Sequence, residues 1–289
     1  MTALIFGANG QDGFYLSQLL KKQGCEVLGI SRSGDFLRAD ISDYASVKAL
    51  IEQQKPDYIF HLAANSVTKH ETVFENYETI TTGTLNILEA VKNVSPQTRV
   101  FISGSGLQFR NEGRPIKESD AFEARDIYSV CRIQSVYAAR YYRGLGLKVY
   151  VGYFFNHDSP LRTERHMSRK IVEAAKRIAA GSIEKLIIGD IKIVKEWTFA
   201  GDIAKAILTL VDQDEVSEAI IGSGKGHTIE DWLQLCFSLV KMNWKEHVVK
   251  GKDFVSDYRQ LVSDPSLIFS LGWTPETSFE DLSRMMMKH

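Results

Sequence analysis

Cysteine is scarce in this chain of 289 residues: Cys25, Cys131 and Cys236 stand far apart with no CxxC spacing. That pattern excludes a disulfide framework and a zinc site built on paired thiols, and no metal is expected. No apolar run approaches the roughly 18 residues of a membrane span. The opening MTALIFGANGQDG reaches glycines and an acid too soon to hold the apolar region of a signal peptide. Neither sign of charge dominates, with 35 Lys+Arg against 36 Asp+Glu and a net charge of -1. The electrostatic footprint of a general nucleic-acid or membrane-surface binder is therefore missing. The six prolines never cluster into a linker, and there is no repeat or low-complexity stretch. These absences predict a soluble protein of the reducing cytoplasm, of one or two domains at roughly 150 residues each.

What is present has a rhythm. Short apolar, β-rich runs at 3–6, 26–30, 58–62, 99–103 and 148–154 alternate with amphipathic stretches at 13–23, 44–54, 80–94 and 128–142. Alternation of this kind predicts an α/β fold, a Rossmann-like doubly wound parallel sheet. Gly24 and Pro56 stand where the first two helices should stop. A polar stretch at 156–165 breaks the pattern. Helices are then expected at 166–180, 202–211 and 228–241, and strands at 185–188 and around Ala219. We expect a dinucleotide-binding domain over 1–155 and a smaller α/β substrate-binding lid over 156–289, the region of Asp202 returning toward the first domain. The cleft between them is the expected site.

Directly after the first strand comes GANGQDG, which sets Gly7, Gly10 and Gly13 at the start of a helix. Glycine there permits a tight turn, close approach of a pyrophosphate to backbone amides, and packing of the helix on the sheet, while the helix dipole favours phosphate. A dinucleotide is the implied ligand. The second strand ends Gly29, Ile30, Ser31, Arg32, Ser33 with no acid to receive ribose hydroxyls. Arg32 suits a 2′-phosphate, so NADP is expected over NAD, with NAD the alternative. Asp40, in the RADIS segment, is a second residue for the adenine side.

Taken in order, Gly7, Gly10 and Gly13, the HLAA of residues 61–64, Ser105 after the fourth strand and Tyr128 opening a helix resemble an extended short-chain dehydrogenase/reductase. The phrases GANGQDGFYL, KPDYIFHLAA, FFNHDSP followed by SRKI, and KEWTFAGDIAKAI are similar to the branch of GDP-mannose 4,6-dehydratase and the GDP-4-keto-6-deoxy-mannose reductases over most of the chain. The resemblance implies an oxidoreductase of nucleotide-sugar metabolism in which a tyrosine is acid/base, aided by a serine or threonine and by a lysine four residues on. Tyr128 and Ser105 match the first two, and Arg132 stands at the lysine position. It further implies cofactor contacts from Gly7, Gly10, Gln11, Asp12, Gly13, Arg32, Asp40, Ile41, Leu62, Ala63, Ala64, Tyr128 and Arg132. A homodimer through the helices at 80–94 and 128–142 is implied as well.

Two departures change the chemistry. Residues i and i+4 share a helix face, so Arg132 can still favour the ionised form of the phenol, but a planar fork that never deprotonates is no proton relay. In the dehydratases a glutamate stands two residues after the catalytic threonine to move a proton during water loss; here Leu107 follows Ser105 and Gly106. An aliphatic side chain carries no proton, and Gln108 does not titrate. Hydride transfer at sugar C4, as a 4-keto reductase or dehydrogenase, is therefore expected ahead of a 4,6-dehydratase or epimerase. A non-catalytic protein binding NADP or a nucleotide sugar is the rival from another class. For the substrate diphosphate the resemblance implies Asn156, with Arg162, Arg169 and Lys195 in neighbouring segments. Where a further family arginine is replaced near Phe254, Arg259 or Lys252 would compensate. His61 is expected in the core or beside the cofactor, and His157 in the substrate loop.

Overall fold

The computed structural model describes residues 1–31, 34–65, 70–251, 256 and 258–289; the expectations for Arg32, Lys252 and Phe254 fall outside them. The chain opens with β1 (Thr2–Phe6), α1 (Gln11–Lys22), β2 (Glu26–Ile30), α2 (Tyr44–Gln54) and β3 (Tyr58–His61). The Asp43 carboxylate accepts from the amides of Ala45 and Ser46 to start α2, and Lys55 in the left-handed region at φ 41° ends it ahead of Pro56. Next come α3 (Val73–Asn76), a π-helical turn over Tyr77–Thr82, α4 (Gly83–Val94), β4 (Arg99–Ser105), α5 (Ile127–Gly144) and β5 (Val149–Phe154). The helix expected at 80–94 is thus α-helical only from Gly83. The run Thr79, Ile80, Thr81, Thr82 is β-branched throughout and resists regular helix.

An excursion follows through β6 (His157–Asp158), α6 (Met167–Ala179), β7 (Leu186–Ile188), β8 (Val194–Lys195) and β9 (Thr198–Phe199). The chain then enters α7 (Ala200–Val211) and β10 (Glu218–Ile221), and finishes with β11 (His227–Thr228), α8 (Ile229–Leu239), β12 (Val248–Lys250), β13 (Gln260–Leu261), α9 (Ser266–Ser270) and α10 (Phe279–Lys288). The main sheet is parallel, in the order β10-β5-β4-β3-β1-β2. Its direction of winding reverses between β1 and β3, where the carboxyl ends of strands leave a crevice. The strand around Ala219 belongs to this sheet, with Ala219 opposite Gly152. So 200–221 packs with the first domain, and the division at residue 155 is not a boundary in space.

Alternate residues of β1 face opposite sides. Leu4 and Phe6 enter a core with Ile87, Val91 and Val136 of α4 and α5, whereas Ala3 and Ile5 meet Leu16, Ile203 and Ile207 of α1 and α7. Being covered on both faces, the strands read as continuous apolar runs. A third core holds α6, α8 and α10 together: Trp197 stacks on Trp232 with centroids 4.6 Å apart, and Phe279 and Met286 close over them. The last helix has a sequence signal that periodicity alone misses, since Ser278 Oγ accepts from the Asp281 amide at 3.0 Å. No helix among the described residues is long and apolar enough to cross a membrane.

Candidate active site

The turn between β1 and α1 sets the floor of the cleft. Gly7 has φ +90°, and a Cβ there would lie 2.6 Å from the Ala63 amide nitrogen. A Cβ on Gly13 would sit 2.5 Å from the Gly7 carbonyl oxygen, so both glycines are required by backbone contact. Gly10 caps α1 with no side-chain partner, leaving the amino end of that helix open. Gly10 and Ala64 line three adjoining cavities of about 440, 330 and 540 Å³. The first runs past Gly7, Ser31, Asp40, Ile41, Leu62 and Ala63, as a pocket for an adenosine would. Asp40 is partly engaged there, its Oδ1 accepting from the amide and hydroxyl of Ser42 at 2.9 and 2.7 Å.

The middle cavity gathers Ser105, Leu107, Tyr128, Arg132, Asn156, His157 and Arg162. Tyr128 and Arg132 lie one turn apart on α5, whose start is fixed by a reciprocal cap between Asp126 and Ser129. The Arg132 guanidinium lies over the Tyr128 ring, 5.0 Å from its centroid. Ser105 caps a short turn: its Oγ accepts from the Leu107 amide at 3.2 Å while its own amide donates to Gln108 Oε1 at 2.9 Å. The hydroxyl hydrogen of Ser105 is thereby left able to donate into the cavity. Leu107 contributes an aliphatic wall. Asn156 lines this cavity, and its Oδ1 is buried with no partner among the described residues.

Asp12 and Gln11 act first on the protein. His157 Nε2 lies 2.9 Å from Asp12 Oδ1 and its Nδ1 2.8 Å from the Phe155 carbonyl. Gln11 accepts from Ser159 Oγ at 2.8 Å. His61 is fully buried; desolvation and then the charge of Arg132 push its pKa down to about 3, against a pull from the Ile80 and Thr79 carbonyls. It stays neutral and is no base.

Of the described cations expected for a diphosphate, only Arg162 lines these cavities. It donates to the His157 carbonyl at 3.0 Å and faces Asp158 Oδ1 at 3.5 Å. Arg169 instead joins α6 to α10, donating to the Met286 carbonyl at 3.2 Å and pairing with Glu173 at 2.9 Å. Lys195 lies over the Trp197 ring at 4.5 Å, and burial lowers its pKa. Arg259 is exposed and lines none of the three cavities. Two residues that sequence reasoning missed stand near Arg162 in the third cavity: Arg165 and His166. Burial first, then Arg162, Arg165 and Lys195, push the His166 pKa down to about 4. The signal was in the sequence as the run RTERH, where cations crowd one histidine.

Comparison with known proteins gives one consistent picture. Residues 4–286 match the family model described as GDP-mannose 4,6 dehydratase. A GDP-mannose 4,6 dehydratase of Arabidopsis thaliana is 31% identical over 318 residues, spanning 99% of this chain and 88% of the relative. The GDP-mannose 4,6-dehydratase of Vibrio cholerae is 25% identical, spanning 99% and 92%. Among solved structures, RMD from Pseudomonas aeruginosa complexed with NADPH superposes with a TM-score of 0.87 at 20% identity, covering 99% of this chain and 97% of that one. UDP-glucose 4-epimerase of Thermus thermophilus, complexed with NAD, gives 0.85 at 22%, covering 100% and 98%.

Proposed function

The chain belongs to the GDP-mannose 4,6-dehydratase family, and from that premise we propose that it exchanges a hydride between a nicotinamide dinucleotide and C4 of a nucleotide-activated sugar. The observation that carries this reading is the single cavity where Ser105, Tyr128 and Arg132 meet while Leu107 forms part of the wall. The residues fit the cofactor: Gly10 leaves the open end of α1 facing all three cavities, and Gly7 lets the backbone approach a pyrophosphate. The dinucleotide supplies the two-electron donor or acceptor. NADP is favoured because the second strand ends without a carboxylate and Arg32 follows it.

In the reducing direction Ser105 Oγ would donate to the 4-keto oxygen and Tyr128 would give that oxygen its phenolic proton; the bound dinucleotide would supply the hydride that completes the alcohol. Arg132 holds positive charge beside the tyrosinate left behind. Arg162 and Arg165 suit the diphosphate, with Asn156 as an uncharged contact. Dehydration would need a group to take a proton from C5 while oxygen leaves C6. Leu107 cannot serve, and Asp12, the one carboxylate among the described residues lining this cavity, is held by His157.

A second reading, a 4,6-dehydratase, is favoured by the names of the relatives. The test is incubation of 4-keto nucleotide sugars with NADPH and, separately, of their saturated counterparts with NADP. Net loss of reduced nicotinamide supports the reductase. A 4-keto-6-deoxy product without net NADPH use supports the dehydratase, and saturable cofactor binding with no turnover supports a binding protein. For assembly we propose a homodimer through α4 and α5, supported by the exposed Leu85, Tyr137 and Tyr141 on those helices.

A further inference from the structure

Arg132 is a buried cation in unusual company. It is 4% exposed, and among the described residues its hydrogen-bond partners are neutral: Nη1 donates to the Ser103 carbonyl and, at 2.8 Å, to Ser103 Oγ. The Ser103 hydroxyl in turn donates to the His61 carbonyl at 3.0 Å. Its hydrogen is committed to β3, so its oxygen faces α5 as an acceptor and nothing else. Arg132 Nε is buried with no partner among the described residues. The guanidinium is therefore located by one residue at its Nη1 end and by the Tyr128 ring at its face. Moving a guanidinium out of water is costly, so where its few acceptors stand decides where the charge stands.

We propose that Ser103 is a positioning residue for catalysis: it fixes the Arg132 charge beside Tyr128 and so lets arginine serve at a position where a lysine would act unaided. The physical need is specific to a fork. An ammonium gathers three donors about one nitrogen at the end of a flexible stem, and it is located by whatever it touches. A planar guanidinium spreads its charge over three nitrogens, so its orientation determines how far that charge lies from the phenolic oxygen. The carbonyl of residue 103 is present whatever the side chain. Only the hydroxyl gives Nη1 a second acceptor and stops the plane from turning.

The proposal rests on the catalytic roles given above to Tyr128 and Arg132, so it is tested by two independent measurements. The first is kinetic, on Ser103→Ala, Ser103→Thr, Arg132→Lys and the Ser103→Ala/Arg132→Lys double variant. We expect Ser103→Ala to lower kcat about tenfold with the KM for cofactor within about twofold, because misplacement of a charge near the reacting atoms is felt in the transition state. Ser103→Thr, which keeps the hydroxyl, restores the rate. In the Arg132→Lys background Ser103→Ala changes kcat by less than about twofold. Equal losses in both backgrounds would overturn the proposal, since Ser103 would then act through packing alone. The second measurement needs no substrate: nitrogen NMR of the arginine side chains. A guanidinium held by two acceptors gives a slowly rotating, resolved Nη signal, assigned by its loss in Arg132→Lys. That signal should collapse in Ser103→Ala and persist in Ser103→Thr; an unchanged signal in Ser103→Ala overturns the proposal. If the wild-type protein turns over no nucleotide sugar, the functional reading fails while the NMR result still decides the role of Ser103.

Discussion

The Asp12 carboxylate of α1 and the His157 imidazole of β6 form a pair 2.9 Å apart, with the other ring nitrogen 2.8 Å from the Phe155 carbonyl. An acceptor at each nitrogen makes the ring doubly protonated. Burial opposes a charge on His157, but Asp12 outweighs it and raises the pKa. Burial likewise opposes the Asp12 charge, yet His157 and Arg162 hold that carboxyl below its ordinary value. The ion pair fastens the start of the excursion to the glycine turn.

That pair predicts a window in the pH dependence of stability. His157 has a raised folded pKa, so its contribution is complete below about pH 6.5 and disappears as pH rises through the folded value. Asp12 has a depressed one, so its contribution is present above about pH 4 and disappears as pH falls through the folded value. The gap in unfolding free energy between the wild type and His157→Gln should be widest near pH 5–6, on the order of 1–2 kcal/mol. Urea unfolding at a series of pH values measures it. A gap unchanged from about pH 5 to 9 contradicts the assignment.

Tyr128→Phe removes one oxygen from the middle cavity and leaves the ring under Arg132. Turnover should fall by at least roughly 10²-fold, the lower range for a lost general acid. Affinity for NADPH, followed by fluorescence titration, should stay within about twofold. A variant that keeps most of its rate removes Tyr128 from the chemistry.

Glu218 is the side chain that fastens the edge strand β10 to α5. Its two oxygens take Arg140 Nε at 2.9 Å and Nη2 at 2.7 Å, Arg143 Nη1 at 2.9 Å and the Tyr153 hydroxyl at 2.6 Å. Burial works against its charge, but these donors push its pKa down to about 2. Glu218→Ala should therefore cost about 2–3 kcal/mol near neutrality, because two guanidiniums lose their partner at once. With a depressed folded pKa, that contribution is present above about pH 4.3 and disappears as pH falls through the folded value. Thermal melts of wild type and variant at neutral and acid pH check both halves.

Replacing Tyr137 and Tyr141 together by aspartate introduces two charges on the outer face of α5, where the native rings are 59% and 65% exposed. If α5 forms the dimer interface, light scattering should give the mass of one chain, with a lower melting temperature because association no longer stabilises the fold. A mass that stays at two chains moves the interface elsewhere.

Local signals made much of this fold legible. The helix at 44–54 ends where a proline said it should, and GANGQDG announced a turn that the backbone contacts of Gly7 and Gly13 require. Tyr128, Arg132 and Ser105 meet because a helix face and a strand end are short-range geometry. What escaped the sequence acts through space. Arg169 and Arg162 look alike in a string, yet one is drawn to the carboxyl end of α10 and the other to the cleft. Lys195 finds an aromatic face two residues on, and the partner of Asp12 lies across the whole first domain. The crowding of Arg165 about His166 was visible as composition but not as a site.

The parallel sheet does not close in the order in which it is synthesised. β5 must wait for β10 until the entire excursion from β6 through α7 has been made, and only then can Ala219 find Gly152. Non-local pairing of this kind is slow. During synthesis on the ribosome the outer edge of β5 is therefore an unpaired strand of VYVGYF, open to any other extended chain. A fragment ended before Glu218 would carry that edge permanently, and aggregation is its expected fate even though every residue of the glycine turn is already present.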